Sequence, residues 1–261
     1  MKSFFKQFLI SLFIFLVLGE ILARLLEGVI VHPPPYDTSQ LDARLGWKAK
    51  SHYLFEGMMK DIAGTECRVR LSTAANGFRM YDGPRRDSLP GLLVIGDSYT
   101  QAVEVSDDKT YFAHLKNALG IPVNAYGMAG YGTLQEYLLI DQYMDSLQPD
   151  VLLLQLCTND FINNFYDLEW QSFANIGLRR PYLSGPEDPQ IIYLKPVACW
   201  RQALRLSTFF AFIDEKLRRL SMQYGDAGER PESQNDTQGL AYAPFAASVA
   251  HTAAMLGLIC N

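Results

Sequence analysis

The chain has 261 residues, of which 49% are apolar and 20% charged, and 23 Lys and Arg stand against 28 Asp and Glu for a formal charge of −5. Those proportions exclude a disordered polypeptide, which is poorer in apolar residues and richer in net charge, and the mildly acidic balance gives no reason to expect nucleic acid as a partner. Four cysteines are too few for a disulfide scaffold, while the length allows one or two domains and a sizeable core.

The first element is a membrane signal. Lys2 and Lys6 precede an apolar run from Phe8 to Leu18, and the pattern continues through Ile21, Leu22, Leu25, Leu26, Val29, Ile30 and Val31. Phe8 to Val31 is about 24 residues, enough to span a bilayer at about 1.5 Å per residue. Glu20, Arg24 and Glu27 interrupt the run, although Glu20 and Arg24 are spaced to pair on one helix face. No A-x-A-like cleavage site follows. The reading is therefore an anchor over residues 1–31, with a cleaved signal or a buried helix as alternatives. The two lysines favour a cytoplasmic N-terminus and an extracytoplasmic remainder. Pro33-Pro34-Pro35 reads as a stiff spacer.

Residues 32–90 read as this spacer and a strand-containing lead-in that packs beside the main domain. Arg68-Val69-Arg70-Leu71-Ser72 alternates as a half-exposed strand does, and Ala75-Asn76-Gly77 is a turn signal.

The main domain is expected over residues 91–261. Leu92-Leu93-Val94-Ile95 is a first strand, Asp107 to Leu119 a helix, Ile121 to Tyr126 a second strand, Thr133 to Leu147 a second helix and Val151 to Cys157 a third strand. Apolar strands buried on both faces and alternating with helices predict a doubly wound α/β fold with a parallel sheet. Residues 165–198 read as loop-rich, and Arg179-Arg180 and Arg218-Arg219 read as solvated surface charge, with contact to an anionic substrate as the alternative. Trp200 to Tyr224 reads as an amphipathic helix packed on the sheet, Gly225 to Gly239 as a polar stretch, and Pro244 to Ile259 as a further helix.

In an open parallel sheet the ligand site lies beyond the carboxyl ends of the strands. Right-handed crossovers put Ser98, Gly130 and Asn159 at one such edge. A serine on a sharp strand-to-helix turn can act as a nucleophile with its own backbone N–H aimed at the developing oxyanion. Gly130 has no Cβ and lets a carbonyl approach its N–H, and Asn159 adds an amide donor. These residue types suit acyl transfer.

Gly96-Asp97-Ser98-Tyr99-Thr100, Tyr126-Gly127-Met128-Ala129-Gly130-Tyr131-Gly132 and Thr158-Asn159-Asp160 together resemble the sequence blocks of the SGNH, or GDSL, hydrolases. Leu45-Gly46-Trp47 and Asn76-Gly77-Phe78-Arg79 look like the lead-in of membrane-anchored members. The resemblance implies a flavodoxin-like three-layer α/β/α fold and ester hydrolysis, with Ser98 as nucleophile and Gly130 and Asn159 completing the oxyanion hole. Gly127 is the other match to the glycine block. The implied substrates are small-molecule or polymer esters, acyl or acetyl groups of lipids or polysaccharides, attacked outside the cytoplasm. An acyltransferase or a non-catalytic binding module are the alternatives. No cofactor is implied, and no Cys/His cluster has the spacing of a metal site.

The chain departs from the family in one respect. Members carry an Asp-x-x-His block whose histidine is the general base, but the histidines here are His32, His52, His114 and His251, preceded at three places by Val29, Ala49, Tyr111 and Ser248. The expectation is a chain that lacks its C-terminal elements and is a poor esterase as it stands, or a relative that has lost hydrolysis. His251 reads as a helix residue without a catalytic role. Asp97 and Asp160 read as structural hydrogen-bonding groups, Cys157 as a small buried residue, and Cys67 and Cys199 as unpaired thiols, with a disulfide between them outside the cytoplasm as the alternative.

Overall fold

The computed structural model describes residues 2–30, 36–60, 65–85, 89–172, 178–185, 189–194, 206–224 and 245–260. The proline spacer at 33–35, His32, Cys199 and the polar stretch 225–239 lie outside them, as do the side chains of Arg218 and Arg219. Contacts group the chain into two units, Met1–Pro35 with Val197–Glu229 and Tyr36–Pro196 with Arg230–Asn261.

In the first unit, α1 (Lys2–Ile30) is one continuous helix, and its stretch Phe4–Leu26 is long and apolar enough to cross a membrane. That property fits an anchor and a signal sequence alike. Its partner is α7 (Thr208–Tyr224). The amphipathic segment packs on α1, with the Phe15 and Phe209 rings edge to face at 5.9 Å. Amphipathic spacing shows that a face is buried, but not what buries it.

The second unit is α/β. Its centre is a three-stranded parallel sheet in the order β6-β5-β7, formed by β5 (Leu92–Gly96), β6 (Val123–Gly127) and β7 (Val151–Gln155). Alternation divides the central strand between two layers. Leu93 and Ile95 pack with Leu138, Leu139 and Leu147 of α4 (Thr133–Leu147), whereas Leu92 and Val94 pack with Phe112 of α3 (Tyr111–Leu119). Helices therefore flank the sheet on both faces. The helix expected from Asp107 is broken at Thr110, where a 3₁₀ turn over Asp107–Lys109 ends and the Thr110 hydroxyl accepts the Ala113 N–H to cap α3. β5 and β6 are wholly buried, but β7 is half-exposed, with Val151 51% accessible. The expectation of burial on both faces fails there: β6 and β7 are both outer strands among the described residues, but β6 is covered by the Met80 bridge to Ala125, and no such bridge covers β7 among the described residues.

The lead-in forms two antiparallel hairpins, β1 (Ser39–Asp42) with β2 (Gly46–Ala49) and β3 (Leu54–Lys60) with β4 (Glu66–Ser72). On β4, Val69 and Leu71 are buried while Arg68 and Arg70 face solvent, as the alternation predicted. Trp47 and Phe78 enter the same core as Leu93 and Ile95, and Phe78 stacks edge to face on Tyr126 and Tyr143. Beyond β7 lie α5 (Asp160–Asn163) and α6 (Tyr166–Gln171). The segment read as loop-rich also holds an antiparallel pair, β8 (Arg180–Leu183) with β9 (Ile191–Leu194). α8 (Phe245–Cys260) packs on α4 and α5.

Candidate active site

Parallel register fixes the site. Gly96 pairs with Gly127 on one side and Gln155 on the other, so Ser98, Gly130 and Asn159 all follow strand ends at the same sheet edge. Ser98 opens the short helix α2 (Ser98–Gln101). The turn into it is held by Asp97, which is fully buried and accepts the Tyr99 N–H at 3.0 Å through Oδ1. Ser98 itself is exposed, and its hydroxyl donates to Asp97 Oδ2 at 3.4 Å.

The two candidate glycines do different things. A Cβ on Gly127 would stand 2.2 Å from Gln101 N and 2.7 Å from Asp97 O, so this glycine lets β6 end directly beneath α2. Gly130 has φ +74°, a left-handed conformation that side chains other than glycine resist. Asn159 precedes α5, and its carbonyl accepts the Ile162 and Asn163 N–H groups. Its side-chain amide caps nothing in that helix.

The loop carrying Gly130 is clamped at three successive peptide groups. Gln101 Oε1 accepts the Ala129 N–H at 3.0 Å, Trp47 Nε1 donates to Ala129 O at 3.1 Å, and Arg180 Nη2 donates to Gly130 O. Peptide planes are rigid and trans, so fixing Ala129 O also fixes the direction of the Gly130 N–H. Arg180 corrects the reading of a solvated charge. It is 1% exposed, pairs with Glu169 at 2.5 Å, donates to Asn163 O at 3.1 Å and lies over the Trp47 ring. Tyr182 donates to the same Glu169 carboxylate at 2.9 Å. Gly46, with φ +85°, admits this arrangement, since a Cβ there would meet Arg179 O at 2.1 Å. Arg179 is exposed as expected and sits over the Tyr193 ring.

A second unforeseen feature is a buried acidic group. Burial, reinforced by the negative charges of Asp160 and Asp97, holds the Glu136 carboxyl well above the usual carboxylate range. Neither of its oxygens has a hydrogen-bond partner among the described residues. Asp160 is 1% exposed and its Oδ2 accepts the Cys157 N–H at 2.8 Å, the structural role expected of it. Burial pushes its carboxyl up to about 7, against the pull of that hydrogen bond and of Arg180. In sequence, Glu136 in the first turn of α4 looks like an ordinary acid at a helix N-terminus, so nothing there signals burial. The Gln101, Trp47 and Arg180 clamp is equally silent locally, because its members come from three distant segments.

Cys157 is half-buried just beyond β7 rather than fully buried within it, and Cys67 is a free thiol, as expected. His114 is exposed on α3, and His251 lies within α8 with its ring 5.1 Å from that of Phe165. No group of three or more His, Cys, Asp or Glu suited to a metal ion occurs among the described residues. No family model matches the chain, and no curated protein matches it either.

Proposed function

We propose that the protein is a serine esterase of the SGNH/GDSL type on a flavodoxin-like three-layer fold, anchored through α1 and acting outside the cytoplasm on acyl or acetyl esters of lipids or polysaccharides. The observation that carries this reading is an exposed Ser98 on a capped strand-to-helix turn, at the sheet edge shared by Gly130 and Asn159. The order β6-β5-β7 supports the fold, since flavodoxin-like sheets begin with the second strand, the first and then the third. In the proposed reaction Ser98 Oγ attacks the ester carbonyl carbon, and the C=O electron pair moves onto oxygen. The Ser98, Gly130 and Asn159 N–H groups stabilise that oxyanion. Collapse expels the alcohol, which takes up a proton, and water then cleaves the acyl-Ser98 bond to return the serine and release the acid.

In this chain the serine proton passes to a solvent water, a weak acceptor, and solvent returns it to the departing alcohol. The family's base sits in an Asp-x-x-His block, and no histidine of this chain stands in one. Slow turnover of p-nitrophenyl acetate is therefore expected from the 261-residue chain. A fluorophosphonate probe tests the nucleophile directly: mass mapping should find the adduct on Ser98 and none on the Ser98→Ala variant. A probe that spares Ser98 while the protein is folded would leave the non-catalytic module as the better reading.

A further inference from the structure

Glu20 sits inside the apolar stretch Phe4–Leu26, where an unpaired carboxylate is strongly disfavoured. It is not unpaired. Its oxygens accept Ser207 Oγ at 2.6 Å, Thr208 N at 3.2 Å and Phe209 N at 3.0 Å, as well as Arg24 Nε at 2.7 Å. The first N–H groups of a helix lack intrahelical partners, and here α1 supplies the cap that α7 requires. Around this contact the Phe209 ring fills the notch at Gly19, where a Cβ would lie 3.0 Å from it.

α7 leaves a second apolar stripe beside the one on α1. Ile213 and Leu217 are exposed, at 37% and 61%, and their spacing of four residues puts them on one face of the helix; Leu206, in the turn two residues before α7, is 84% exposed. The following residues Asp214, Glu215, Lys216, Arg218 and Arg219 carry too much charge for α7 to cross a bilayer. The depth is consistent as well. Glu20 lies six positions before Leu26, about 9 Å along the helix, and interfacial helices bury their apolar faces by about 5–10 Å.

We propose that α7 is an interfacial membrane helix, docked by its N-terminus on Glu20 and seated with Leu206, Ile213 and Leu217 in the acyl region of the leaflet nearest the C-terminal end of α1. The occupant of its apolar stripe is lipid. α1 is then a retained part of the folded protein, because removing it would strip α7 of its cap. This rests on α1 spanning the membrane and is independent of the esterase reading.

Photo-crosslinking of the full chain in phosphatidylcholine/phosphatidylglycerol vesicles tests the proposal. Benzoylphenylalanine is placed at Leu206, Leu217 and, on the far side of the helix, Ala211. Lipid adducts should be at least about fivefold more abundant at 206 and 217 than at 211, as one-sided immersion requires. The Glu20→Ala change should lower the adduct at 206, and Glu20→Gln, which keeps an acceptor oxygen, should retain more of it. Carbonate extraction reads α1 separately. Protein that stays in the membrane without lipid adducts at 206 and 217, or that crosslinks there to a second copy, overturns the interfacial helix and spares the anchor. Protein that carbonate strips away overturns both.

Discussion

In the proposed reaction, Trp47 and Asn159 bear on the same oxyanion in different ways. Asn159 offers an amide directly, and removing one such donor lowers the rate by about 10²–10³-fold. Asn159→Ala is therefore expected to slow fluorophosphonate labelling of Ser98 by that order while the melting temperature holds. Trp47 acts one step back, through Ala129 O. Trp47→Phe deletes the indole N–H, and the loss of one neutral hydrogen bond, about 0.5–1.5 kcal/mol, predicts labelling slowed about two- to tenfold on protein still fully folded at the assay temperature. An unchanged rate in a destabilised variant would make Trp47 a packing residue alone. Glu136 and Asp160 make a third residue-level prediction. Their folded state favours the protonated carboxyl, so their contribution to stability is complete below about pH 4 and is lost as pH rises, for Asp160 through about 7. Glu136→Met, which removes the unpartnered oxygens, should stabilise the fold at pH 8 by about 1–3 kcal/mol. The gain should shrink on approaching pH 4, a trend that chemical denaturation at several pH values will reveal.

Among the elements, those fixed by local composition were legible and those fixed by a partner were not. The helix Thr133–Leu147 has the bounds its spacing predicted, and the apolar runs gave β5 to β7 within two residues. Alternation gave β4. β8 escaped because a four-residue strand containing Pro181 carries almost no pattern. The burial of Arg180 escaped because its partners Glu169, Asn163 and Gly130 lie in other segments. The glycine block was visible in the sequence, but the division of labour inside it required coordinates. Gly127→Ala forces a methyl group into the backbone of α2 and should destabilise the unit by about 1–3 kcal/mol or more. Thermal denaturation compared with Gly120→Ala, where a Cβ meets nothing within 4 Å but the φ of +67° still opposes it, separates the packing penalty from the backbone one.

On the scale of the whole molecule, Ser98, Gly130 and Asn159, the glycines Gly46 and Gly127, Trp47 from the lead-in and Arg180 form one constellation although they span Gly46 to Arg180. That is why the lead-in belongs with the α/β unit in any expressed fragment: a chain starting at Leu92 lacks Trp47, Phe78 and the Gly46 contact, and should melt at a lower temperature than one starting at Tyr36. The pairing of α1 with α7 has a consequence in time. Glu20 and Ser207 are 187 positions apart, and synthesis proceeds at about 5–20 residues per second. The carboxylate therefore leaves the ribosome roughly 10–40 s before its cap partner exists; on the anchor proposal α1 enters the bilayer with only Arg24 to neutralise Glu20, and α7 docks on it afterwards.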